Sequence, residues 1–201
     1  MKKIIGISFA MMFVLGCGLS YIRRDYSSLP IQTLEEKAAQ GDLQAVFWLG
    51  DRYFLGKGVP QDKQKAFAQW DTVLSAVEKE PAVISQRWFK EAYQQHHPIA
   101  VSIEMFNWSV GARNDANAFD KNSLPHVGRR VDNFLLAREK YPQYHDFFVG
   151  LEEAVQSMGK ASYIIGQRSY DAGERQDAYS WADRACKLNY KDGCVLALKT
   201  F

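Results

Sequence analysis

The sequence predicts an all-α protein, a short α-solenoid of antiparallel helix pairs with an irregular helical middle. Three observations predict it. Apolar residues recur at three- and four-residue steps along most of the chain, the spacing that lines one stripe of a helix. No stretch alternates convincingly at period two. A helix, glycine loop and helix near the start are echoed near the end. With 201 residues, 47% hydrophobic and 24% charged, the chain has enough apolar surface for an ordinary soluble core.

Residues 1–17 read as an export signal. Lys2 and Lys3 precede an apolar run from Ile4 to Leu15, with small residues after it. The run ends Val14-Leu15-Gly16-Cys17, which resembles the bacterial lipobox. That resemblance implies acylation of Cys17 as the mature N-terminus. With Gly18 rather than Asp beside it, it also implies outer-membrane retention. The rival reading is an uncleaved inner-membrane anchor, since residues 4–22 are just long enough to span a bilayer. Arg23 and Arg24 after that run, against Lys2 and Lys3 before it, leave its orientation open. Either way the folded part is expected in the periplasm. Residues 18–32, with two arginines, two tyrosines and several serines, read as a tether.

The first repeat spans 33–80. Thr33-Leu34-Glu35-Glu36 matches a capping box, starting a short helix that ends at Gly41. On the next helix Leu43, Val46, Phe47, Gly50, Tyr53 and Phe54 form one stripe. Gly50 costs roughly 1 kcal/mol there against alanine, which predicts a second backbone packed too close for a side chain. Gly56 to Pro60 cannot continue the helix, because the glycines favour positive φ and the proline lacks a donor. Asp62 then caps a helix whose apolar face runs Ala66, Trp70, Val73, Leu74 and Val77.

Residues 81–156 keep helical spacing without a repeat pattern. Val83, Ile84, Trp88, Phe89 and Tyr93 run to His96-His97-Pro98, and a shorter stretch follows from Val101 to Val110. Asn107 to Asn122 is polar and reads as a long loop. Val127, Val131, Phe134 and Leu135 start a helix stopped near Pro142; Phe147, Val149, Leu151, Ala154, Val155 and Met158 continue the pattern. The closing unit, 157–201, carries Ala161, Ile165, Gly166, Tyr170 and Gly173, then Ala178, Trp181 and Ala185.

The run of Ala45, Leu49, Gly50, Tyr53, Gly56, Gly58, Val59, Asp62, Ala66 and Trp70 is similar to the SLR (Sel-one-like) repeat, a relative of the tetratricopeptide repeat. Trp70 sits one residue late for that pattern. The C-terminal unit, with a shorter loop, resembles a divergent repeat of the same kind. The resemblance implies an α-solenoid that binds other proteins. Exported lipoproteins of this family act as immunity proteins, notably beside lipases delivered by type VI secretion. A role of that kind is the expectation here, with an envelope-assembly scaffold and an envelope hydrolase as the alternatives.

Of the three cysteines, Cys186 and Cys194 remain after Cys17. In an exported protein they are most simply a disulfide between adjacent helices, worth roughly 2–3 kcal/mol; two reduced buried thiols are the other reading. The segment ACKLNYKDGC also resembles cysteine-rich secreted SLR proteins, which bridge each repeat at this spacing. No metal or other cofactor is expected. Adjacent His96 and His97 point to different sides of a helix and read as a helix end, where a cation meets the negative pole. His126 and His145 are isolated, and no nucleophile elbow, phosphate loop, zinc signature or dinucleotide pattern appears. A non-enzymatic protein is therefore expected. Without Lys2 and Lys3 the 25 basic residues fall to 23, equal to the 23 acidic ones, so nothing points to nucleic acid. Aromatics make up 13% of the chain, and two fall outside core spacing. Trp48 lies off its helix stripe and Trp108 borders the polar loop, so either is a candidate anchor for a protein partner or a packing residue against a neighbouring repeat.

Overall fold

A computed structural model describes residues 25–105 and 123–200, and no strand occurs among them. The leader with Cys17 and the segment with Trp108, including the whole of the expected loop Asn107 to Asn122, lie outside the described residues.

The chain enters through a 3₁₀ turn, Tyr26–Ser28, followed by α1, Ile31–Ala39. The helix starts two residues before the expected capping box. Pro30 is its N-cap, and the Leu34 N–H reaches the Pro30 carbonyl at 3.1 Å. Glu35 accepts a bond from the Tyr53 hydroxyl at 3.1 Å. The first residues of α2, Leu43–Leu55, are capped by Asp42, whose Oδ1 accepts from the Gln44 and Ala45 N–H groups. This helix buries two faces. Ala45 and Leu49 meet Leu34 of α1, while Val46, Phe47 and Phe54 face the main core. Gly56 ends it at φ +66°, and the Gln61 amide closes the loop by donating to the Phe54 carbonyl at 2.8 Å. Asp62 caps α3, Lys63–Lys79, through the Lys65 N–H, and the expected face is inside, with Leu74 half-buried.

The expectation for Gly50 needs correcting. A Cβ there would strike the indole of Trp70, a side chain rather than a backbone. The close backbone approach occurs in the C-terminal unit, where a Cβ on Gly166 would lie 3.1 Å from the Ala182 nitrogen and 3.2 Å from the Ala178 oxygen.

The middle is a run of short pieces. A 3₁₀ turn, Pro81–Ser85, leads into α4, Arg87–Gln94, and then into a helix, α5, over 98–105. After the undescribed segment come α6, Leu124–Lys140, the 3₁₀ turn Pro142–Tyr144 and α7, His145–Gly150. Their aromatics fill one core with those of α2 and α3. Phe54 stacks on Tyr144 at 5.1 Å, Trp70 meets Phe147 at 5.6 Å, and Phe134 meets Phe148 at 5.4 Å. Val149, expected in the apolar pattern, is 55% exposed; α7 stops one residue later, and Phe148 takes the inward position.

Three helices close the chain: α8, Glu152–Asp171; α9, Arg175–Lys187; and α10, Lys191–Thr200. The expected unit boundary at 156/157 falls inside α8. Its first half, with Val155 and Met158, packs into the main core, and its second half packs on α9. Gly173 at φ +79° turns α8 into α9, and Asn189 at φ +62° turns α9 into α10. Cys186 and Cys194 lie at disulfide distance, with Cα atoms 4.5 Å apart. Leu188 to Tyr190 form the intervening turn, and Gly193 sits on α10.

Candidate functional site

Among the described residues a cleft of about 500 Å³ opens where α6 meets α8 and α9. Its apolar base is Leu124, Ile165 and Trp181. Gly128, Ser169, Ala172 and Ser180 leave it open, because their side chains are too small to fill it. Arg184 forms one wall. Its guanidinium grips both Asp132 oxygens at 2.7 and 2.8 Å, donates to Ser180 Oγ at 2.8 Å and lies 4.8 Å over the Trp181 ring. That three-way hold fixes the arginine, and a Cβ on Gly128 would come within 3.2 Å of it. Exposed Arg168 and Asp177, with Glu174, give the rim both signs of charge. The volume suits a few side chains of another molecule. The lining offers packing surface and fixed charges, and no hydroxyl there is paired with a histidine.

The anchors expected from sequence fare differently. Trp48 is half-buried, edge-on to Phe47 at 5.3 Å and to the His97 ring at 5.4 Å, and it touches both N-terminal apolar clusters. It is a packing residue rather than an open anchor. Trp108 and Cys17 lie outside the described residues. Among the described residues no group of three His, Cys, Asp or Glu side chains is placed to hold a metal.

His97 departs from its expected role. His96 does end α4, at φ +59°, but His97 heads α5, its carbonyl accepting from the Val101 N–H at 3.0 Å. Its ring is buried beside Asp51 and Tyr144. The Tyr144 hydroxyl donates to Asp51 Oδ1 at 2.5 Å. His97 Nε2 lies 3.1 Å from the same oxygen without the alignment of a hydrogen bond, and neither ring nitrogen has a partner. Burial, then the charge and hydrogen bond of Asp51, push the Tyr144 phenol far above its ordinary range. These three groups tie α2, α5 and the 142–144 turn together, away from the cleft. The pattern held a signal for this: Asp51 lies four residues after Phe47 and three before Phe54, on the buried face.

No protein-family model, curated relative or solved structure matches the chain.

Proposed function

We propose that this chain is a non-catalytic protein-binding lipoprotein of the periplasm, built as a short SLR-type solenoid. The cleft between α6, α8 and α9 carries the reading: a rigid arginine wall, an apolar base and a rim of both charges suit a segment of another protein. The glycine-seamed pairs α2–α3 and α8–α9 support the repeat assignment, because each places a helix against its successor where a larger residue would not fit. The narrower proposal is an immunity protein that occludes the active site of a type VI secreted, lipase-like toxin. Occlusion of a lethal enzyme needs nanomolar affinity or better, roughly −12 kcal/mol.

A second reading, a scaffold for envelope assembly, draws on the outer face of α10. Val195 and Leu198 are 51% and 78% exposed there, an apolar surface on which a further helix would pack. The test is to produce a candidate toxin from the neighbouring genes in the periplasm with and without this protein. Immunity predicts survival only with the protein. It also predicts about tenfold weaker binding for Arg168→Glu or Asp177→Lys, which reverse rim charges. Equal killing in both cultures, with no complex recovered, rejects immunity in favour of the scaffold.

A further inference from the structure

We infer that two copies of this chain associate through the outer face of α10, antiparallel about a twofold axis, with Asp192 of each copy paired to Lys199 of the other. The inference stands apart from the cleft, since no residue of α10 lines it. It names an occupant for the face on which the scaffold reading draws.

The inner side of α10 decides what the outer side presents. Gly193, Leu196 and Thr200 are buried, and a Cβ on Gly193 would strike Ala185 of α9. The Cys186–Cys194 pair ties the same two helices together. The helix therefore cannot roll, and its opposite side meets solvent: Lys191, Asp192, Val195, Leu198 and Lys199 are all exposed. Leu198 is the most exposed large apolar side chain among the described residues, and Val195 lies beside it on the same face. At about 100° per residue the five positions span about 120°, with Val195 at the centre.

The order of charges along this strip says what covers it. Asp192 and Lys199 lie on one edge, about 10 Å apart along the axis, and neither has an ion-pair partner among the described residues. Lys191 and Leu198 lie on the other edge. A twofold axis between positions 195 and 196 sets Asp192 of one copy level with Lys199 of the other, and the reverse pair follows by symmetry. The same axis keeps like edges together. Both ion pairs then fall on one side of a Val195–Val195 contact. Both Leu198 side chains fall on the other, under the aliphatic stems of Lys191. A parallel copy would instead set Asp192 against Asp192 and Lys199 against Lys199. Five side chains over about 12 Å bury less than a standard interface, so the dimer is weak, with a Kd of roughly 10 μM or more.

The test uses the full chain in cells that make two differently tagged copies, one carrying the photo-crosslinking residue benzoylphenylalanine at position 198. Irradiation should give a product with both tags, and a crosslinker at exposed position 57 in the α2–α3 loop should not. Asp192→Lys in both copies should lower the yield about tenfold, as should Lys199→Asp in both, because symmetry turns two attractions into two repulsions. Pairing one Asp192→Lys copy with one Lys199→Asp copy should restore it, since opposite charges again stand level. Asp192 in the first turn and Lys199 in the last also suit the dipole of their own helix, but that role alone predicts no recovery in the mixed pair. Loss without recovery therefore overturns the pairing. Absence of a two-tag product overturns the dimer, as does a product made only with a different protein or one equally strong from position 57.

Discussion

Tyr144 shows how much can hang on one hydroxyl. Its ring is stacked on Phe54, and its oxygen is the one aligned donor to the buried Asp51 carboxylate among the described residues. Tyr144→Phe keeps the ring and removes the donor, leaving a buried carboxylate short of a bond, a loss of about 1–3 kcal/mol. The pH dependence has a definite sign. Burial raises the folded-state phenol above its ordinary 10.0, so above that pH the unfolded chain ionises while the folded chain holds its proton. The stabilising contribution is complete below pH 10 and is lost as pH rises further. Burial raises Tyr26 and Tyr53 in the same direction. Urea midpoints should therefore fall steeply above pH 10 for the wild type. Tyr144→Phe should start lower at neutral pH and fall less. A parallel fall in both proteins would show that Tyr144 does not drive the alkaline loss. Little of this cluster was legible in the sequence, because its members come from three segments and only the fold brings them together. Asp51 alone gave a sign, as a carboxylate on an apolar face.

Between helices, the local signals were the legible ones. Asp42 and Asp62 cap as their positions require, and Gly56 and Gly173 turn the chain at positive φ, because caps and turns are decided within four or five residues. The start of α1 was misread because Pro30, with its fixed φ, begins the helix before the capping-box residues arrive. Gly50 was misread for another reason. Its spacing announced a close neighbour but not which atoms that neighbour presents. The two seam glycines now predict different costs. The indole facing Gly50 is held by its own bond to the Phe47 carbonyl at 3.2 Å, so it has little freedom to withdraw. Gly50→Ala should destabilise by about 1–3 kcal/mol even after the gain in helix propensity. At Gly166 the neighbours need give only a few tenths of an ångström, so Gly166→Ala should cost less than Gly50→Ala. Thermal midpoints of the two variants decide this, and the reverse order would mean that the Trp70 ring moves aside.

Across the whole molecule, a repeat array and a single core make opposite predictions about unfolding. Solenoid units are held mainly by their nearest neighbours and can open one at a time. This chain carries ties that skip units. Tyr144 and Asp51 are 93 residues apart, and Arg138 of α6 donates to the Lys187 carbonyl at the end of α9 at 2.9 Å. Leu188, just after α9, is buried in the same cluster as Val46 and Phe47 of α2. The irregular middle is the reason such ties exist, and periodicity could not disclose them, since it reports which face is apolar and not what that face meets. Because the central core takes side chains from α2 through α8, loss of any one part exposes the rest. Unfolding in urea should then be one cooperative transition, with far-UV circular dichroism and tryptophan fluorescence giving coincident curves. Asp51→Asn should lower the midpoint and leave the curves coincident, because the apolar ties remain. Two separated curves in the wild type would mean that the end pairs α2–α3 and α8–α9 unfold as independent units, and that the long-range ties contribute little beside the contacts within each pair.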